Sequence, residues 1–223
     1  MSTLEPLKWL ALITMVIDHL GKTLWPEAMA PMHAAGRLAF PLFVYIMGIR
    51  LAVKPHLDIV YLRRLPLWAL LAQPAYVLIS GTHQGNILCL LLCGALMHWG
   101  IRHTGRWQGI AALVAGTAGA WWCEYGPGGA WIPTIIAATY RRDAVMAAML
   151  CGPLAFVAQL PMASSMLPWN MWALMASGVV LASAQVQLTL PRINRWFFYA
   201  FYPGHLYLLY GLMWWEVESM TRL

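Results

Sequence analysis

The sequence predicts an all-α, polytopic helical bundle embedded in a membrane, and three observations carry that expectation. Of 223 residues, 61% are hydrophobic and only 10% charged, whereas a soluble domain is about a quarter charged. Mean hydropathy is +0.63. Apolar runs follow one another along the whole chain, many near the ~20 residues that cross a hydrocarbon layer. The net charge of +6 falls between those runs, so it reads as topology rather than as a surface for nucleic acid.

Punctuation by charge, Pro and Gly divides the chain into nine segments, 7–25, 35–54, 58–80, 86–102, 106–124, 127–140, 143–160, 168–188 and 192–215. The first is an apolar helix interrupted by Ile17-Asp18-His19. Lys8, its apolar run and Ala28-Met29-Ala30 imitate a cleavable signal, but Asp18 to Lys22 breaks the run and many spans follow, so this helix is expected in the mature protein. After a short turn the second helix opens with Gly36-Arg37-Leu38-Ala39-Phe40-Pro41-Leu42-Phe43. Arg50, Lys54, Arg63 and Arg64 mark the passage from second to third segment, Arg102 and Arg106 that from fourth to fifth, Arg141 and Arg142 that from sixth to seventh, and Arg192 and Arg195 that from eighth to ninth. The other connections hold little charge beyond Lys22 and Glu124. This alternation puts the N-terminus in the cytoplasm and, after nine crossings, the C-terminus outside.

No internal repeat or linker divides the chain, so 1–223 reads as one transmembrane domain. Pro41, Pro66, Pro74, Pro133, Pro153 and Pro203 fall within helices and bend them, which can open a cavity. Cys89, Cys93, Cys123 and Cys151 lack Cys-x-x-Cys spacing and read as core residues, so no metal site is expected.

The topology gives each polar residue a depth. Asp18 and His19 fall in the outer half of the first helix, Arg37 enters the second from outside, and Asn86 opens the fourth. Glu124-Tyr125-Gly126 forms an outer connection, and His205 lies near the middle of the ninth helix. Ionisable groups at such depths cost at least a few kcal/mol unless partnered, so their convergence on one leaflet marks a site.

His19 and His205 are general-base candidates; the plainer reading is a histidine bonded to a carbonyl or a neighbouring helix. Asp18 and His19 project about 100° apart and do not face each other. Asp18 is expected to pair with Lys22, with Arg37 across the hairpin, or with His205, and a buried Asp18–Arg37 contact is expected, catalytic or purely structural. Arg37 suits an oxyanion or phosphate. Asn86 either polarises a carbonyl or caps a helix. Tyr125, with Gly126, Gly128 and Gly129, forms a close turn that either rims a substrate site or belongs to an interfacial aromatic belt.

Ile17-Asp18-His19, Ala35-Gly36-Arg37-Leu38-Ala39-Phe40-Pro41-Leu42-Phe43, Gly85-Asn86-Ile87-Leu88, Tyr125-Gly126 and Phe201-Tyr202-Pro203-Gly204-His205-Leu206 together resemble the TraX family of conjugative plasmids, inner-membrane enzymes that acetylate the N-terminus of F-type pilin. Phe40 to Gly48 is more distantly similar to multi-span acyltransferases. The resemblance implies an acetyl-CoA-dependent N-acetyltransferase of the bacterial inner membrane, whose partners are a conjugative pilin subunit, acetyl-CoA and membrane lipid. His19, Asp18, Arg37, His205 and Asn86 would be its catalytic group, and Tyr125, Tyr202 and Glu124 its substrate side. Arg63, Arg64, Arg102, Arg106, Arg141 and Arg142 would offer the cytoplasmic phosphate contacts for CoA, in a set that orientation alone also requires. Rival readings are an O-acetyltransferase for a periplasmic glycan or lipid, and a proton-coupled transporter.

Overall fold

The computed structural model describes residues 4–25, 29–54, 56–103, 105–160, 167–186, 188 and 190–221. Among these there are eleven α-helical segments and no strand: α1 (Glu5–Thr23), α2 (Met29–Gly36), α3 (Ala39–Val53), α4 (Leu57–Ser80), α5 (Ile87–His103), α6 (Arg106–Ala120), α7 (Gly126–Tyr140), α8 (Ala144–Gln159), α9 (Leu167–Asn170), α10 (Met175–Gln185) and α11 (Arg195–Thr221). Each segment read from the sequence has a helical counterpart. The eighth is divided into α9, a 3-10 turn over Met171–Leu174, and α10.

One element departs from expectation. The stretch expected to be a short turn before the second helix contains α2, an eight-residue helix packed against α1; residues 26–28, Ala28 among them, lie outside the described residues. Pro31 sits in the first turn of α2, where a missing N–H breaks no helical bond. The chain turns at Arg37-Leu38 before continuing as α3. Pro41 explains the break: it has no N–H to bond the Arg37 carbonyl four residues back.

Local chemistry fixes other ends. Asp143 caps α8, its Oδ1 accepting from the amides of Val145 at 2.8 Å and Met146 at 3.0 Å. Gly81, at φ 66°, closes α4 in the left-handed conformation that glycine adopts without a Cβ penalty.

α3 is the axis of the bundle, packed against α1, α2, α4, α7, α8 and α10. Most of its side chains are buried on all sides, as expected of a helix apolar all round. Small residues set the approach to α7: a Cβ added at Gly48 would stand 2.7 Å from Ile136 Cβ and 2.9 Å from the Pro133 carbonyl oxygen. Gly48→Ala is therefore expected to lower stability by about 1–3 kcal/mol, the range for overpacking, read as a lower melting midpoint in detergent. Gly178→Ala, with open space around it, is the control.

Outside, the bundle is apolar. Leu67, Leu70, Leu78, Val114, Val157 and Leu208 are each more than half exposed, while Asp18, Arg37, Asn86, His98, Gln159 and Asn170 are buried. Exposed tryptophans bracket α6, with Trp107 at one end and Trp121 and Trp122 at the other, about 21 Å apart at 1.5 Å per residue. By length and composition, one helix among the described residues, Ala30–Val53 taken through the break, is long and apolar enough to cross a membrane; Ile87–Arg102 and Ala144–Gln159 are shorter apolar helices.

Candidate functional site

The 100° step between neighbours on α1 sends Asp18 and His19 to different partners. His19 faces α11, where its Nδ1 lies 2.8 Å from His205 Nε2 with the rings nearly parallel. His205 Nδ1 lies 2.9 Å from the carbonyl oxygen of Phe201. A carbonyl only accepts, so Nδ1 of His205 carries a proton, and in the neutral ring Nε2 is left as an acceptor. His19 must then donate through its Nδ1. Its own Nε2 keeps a lone pair, with no hydrogen-bond partner among the described residues. These tautomers are assigned from the hydrogen-bond network. His205 thereby orients His19.

Asp18 points about a quarter-turn away, toward α2. Oδ2 meets Lys22 Nζ at 2.5 Å, Oδ1 meets His33 Nδ1 at 2.7 Å, and Arg37 Nη2 stands 3.9 Å from Oδ1. The expected Asp18–Arg37 pair is thus a loose one, and its physical reason is His33: one turn before Arg37 on α2, it takes the closer position. Arg37 Nη2 is 3.2 Å from His33 Nδ1. Its Nη1 reaches Gln159 Oε1 at 3.3 Å and Asn170 Oδ1 at 3.5 Å, tying α2 to α8 and α9. Asp18 does not reach His205, which is held by His19. Gly36 makes the crowding possible, because a Cβ there would overlap Asp18 Cβ, Cγ and Oδ1.

Asn86 is fully engaged elsewhere. Its Oδ1 accepts from the amides of Leu88 at 2.9 Å and Cys89 at 3.3 Å, capping α5, while Nδ2 donates to the Ala69 carbonyl at 2.9 Å and Gln73 Oε1 at 2.8 Å. With both amide hydrogens used, it has none for an oxyanion. Of the two roles the sequence allows, the geometry shows Asn86 in the capping one.

Tyr125 adopts φ 65°, unusual for a bulky residue. It stacks on Phe40 with ring centroids 3.8 Å apart, and its neighbour Glu124 accepts from the Tyr76 hydroxyl at 3.4 Å. Through Phe40, in the first turn of α3, the Tyr125 ring is held beside the residues that follow Arg37.

A cavity of about 700 Å³ opens between α1, α3, α4, α5 and α11. Lys8, Arg50, His56, Arg64 and Arg192 line it together with aromatic side chains. Lys8 pairs with Glu5 at 2.5 Å, and Glu5 accepts from the Ile193 amide at 3.0 Å, so the start of α1 is fastened to the approach to α11. Met15 and Tyr202 line the cavity one helical turn from His19 and His205, and the Tyr202 ring meets His205 edge to face at 5.6 Å. Of the arginines expected to contact phosphate, Arg64 lines this space; Arg63, Arg102, Arg106, Arg141 and Arg142 do not. Arg141 is spent on the carbonyls that end α3, those of Leu51 at 3.2 Å and Ala52 at 3.4 Å.

Sequence reading missed His33, Gln159, Asn170, Lys8, Arg50 and Arg192 as members of these groups. His33 carried a usable signal, since it lies four residues before Arg37 on one helical face. Gln159 carried another, as the one polar side chain at the end of an otherwise apolar α8.

The TraX protein family model matches residues 3–213. The chain is 31% identical over 224 residues to Protein TraX of Escherichia coli, covering 91% of this chain and 84% of that protein. It is 33% identical over 110 residues to Protein TraX of Escherichia coli strain K12, covering 48% of this chain and 44% of that one. No solved structure matches the chain at a significant level.

Proposed function

This chain belongs to the TraX family, and on that premise we propose that it is a multi-pass acetyltransferase of the bacterial inner membrane, carrying an acetyl group from cytoplasmic acetyl-CoA to the outward-facing N-terminal amine of a conjugative pilin subunit. The apolar exterior bracketed by tryptophans supports burial in lipid. The observation that carries the chemistry is His19 Nε2, an imidazole lone pair left without a partner by the His205 relay.

In this reading the phosphates of CoA lie against Lys8, Arg50, Arg64 and Arg192, and the pantetheine arm runs along the cavity toward Tyr202. At 1.5 Å per residue His19 stands about 16 Å along α1 from Lys8, so an extended arm rather than the nucleotide has to cover the distance. The thioester reaches the imidazoles only if Tyr202 swings aside. The acceptor ammonium gives one proton to His19 Nε2, the amine nitrogen attacks the thioester carbonyl, and as the C–S bond breaks the departing thiolate takes the second proton from that nitrogen, so that CoA leaves as the thiol and the amide is neutral. Arg37 supplies charge for the oxyanion. Asp18 favours an amine over a hydroxyl acceptor: it already holds one ammonium, that of Lys22, and can exchange it for another.

The test uses full-length protein in detergent, acetyl-CoA, and a peptide with a free N-terminal amine. Intact mass should rise by one acetyl group on that peptide and not on one whose N-terminus is blocked. Acetylation of a glycan hydroxyl instead would select the O-acetyltransferase, and absence of acetyl-CoA binding by calorimetry would select transport. Replacing Arg64 and Arg192 together by Ala should raise the KM for acetyl-CoA by about tenfold or more, the scale of one or two lost charge-assisted contacts, with kcat little changed.

A further inference from the structure

Three of the four cysteines meet at one place. Cys89 and Cys93 lie one turn apart on one face of α5. Cys123 faces them from the turn between α6 and α7, its thiol donating to the Gly119 carbonyl at 3.5 Å. The backbone enforces this approach. The Gly85 amide donates to the Trp122 carbonyl at 2.5 Å and the Glu124 amide donates to the Gly85 carbonyl at 3.0 Å, a short bridge that fastens Cys123 to the residues just ahead of α5.

Two glycines leave the room. A Cβ at Gly85 would stand 3.2 Å from both Cys123 Sγ and Cys89 Cβ, and one at Gly119 would stand 3.2 Å from Cys93 Sγ. Cys151 takes no part: its thiol donates to the Pro41 carbonyl at 3.2 Å in the middle of the bundle. Cys123 is buried, while Cys89 and Cys93 are partly exposed. An external reagent therefore meets the α5 thiols first.

We infer that this cluster is a redox-modification site, in which a disulfide donor oxidises Cys89 and Cys123 to a bond joining α5 to the α6–α7 turn, with Cys93 as the exchange partner. The thiolate of Cys89 attacks the donor disulfide and expels one donor sulfur as a thiol. Cys123 then gives up its proton and attacks the Cys89 sulfur, expelling the second donor sulfur. Two cysteine thiols are oxidised and one donor disulfide is reduced to two thiols. Cys93 can displace Cys89 from the bond, which moves the cross-link by one turn without breaking it overall. Closure pins the segment that ends in Tyr125, so it fixes the stacking of that ring on Phe40. None of this rests on acetyl transfer.

The experiment incubates the reduced full-length protein in detergent with oxidised glutathione, followed by intact mass and digestion without reductant. The expected product has lost two hydrogens and yields one cross-linked peptide pair joining Cys123 to Cys89 or, after exchange, to Cys93. Its melting midpoint rises and returns to the starting value on reduction. Cys123→Ser should abolish the cross-link and Cys151→Ser should leave it intact. Stable glutathione adducts on Cys89 or Cys93 without closure, or four thiols that remain open to alkylation, would overturn the inference on the unsubstituted protein, whatever the folding of the variants.

Discussion

His19→Ala is expected to abolish acetyl transfer while the protein stays inserted and helical. Loss of a positioned general base costs about 10²–10⁴ in rate; the variant frees His205 Nε2, but His205 stays tied to the Phe201 carbonyl through Nδ1, so that nitrogen sits where it met His19 Nδ1 and not where His19 Nε2 stood. His205→Ala should do less. It removes the group that holds His19 in one tautomer and one orientation, so the base survives but wanders, and a fall of roughly 10²-fold, the scale of a 1 Å misplacement, is the expected outcome. Rates measured on the peptide substrate at saturating acetyl-CoA separate the two. If His205→Ala proves the more damaging change, the order of the relay is reversed and His205 is the base. Circular dichroism and detergent melting of both variants distinguish chemistry from collapse.

Much of the bundle could be read from the chain because its boundaries are chemically loud. Arg102 and Arg106, Arg141 and Arg142, and Gly85-Asn86 all interrupt apolar runs, and each sits at a real helix end. α2 was quiet by comparison: Met29–Gly36 is short, apolar and contains Pro31, so it looks like a turn unless the proline is assigned to a first helical turn. The divergence of Asp18 and His19 followed from helical geometry alone. Their partners did not, since whether His19 meets His205 depends on the register of α1 against α11, and no local signal encodes it. The basic residues show the same limit. Arginines gather between the apolar runs, but only the packing of α4, α11 and α1 around one cavity brings Arg64 and Arg192 from those connections together with Lys8 of the first helix. Cys123 is the sharpest case: 30 residues from Cys93, it looks like an isolated core thiol until the Gly85 bridge brings the two connections together.

Asp18→Ala is expected to destabilise the bundle more than any other single change at the site. The carboxylate contacts Lys22, His33 and Arg37, and Arg37 is itself 4% exposed, so deleting the acid takes the negative charge away from a buried guanidinium whose other contacts include the side chains of His33, Gln159 and Asn170. Breaking a buried pair in this way costs about 3–5 kcal/mol, or about 6–20 °C of melting midpoint for a chain of this size. The effect should be lopsided. Lys22 has a third of its side chain exposed, and Lys22→Ala removes a partner that water can partly replace, so it should cost no more than about 1 kcal/mol. Asp18→Asn, which keeps the shape pressed against Gly36 but not the charge, should fall between them. A melting series of the three variants in one detergent decides the matter: equal losses for Asp18→Ala and Lys22→Ala would mean that Arg37 is held without help from the carboxylate, and that the acid serves only to pair with the exposed lysine.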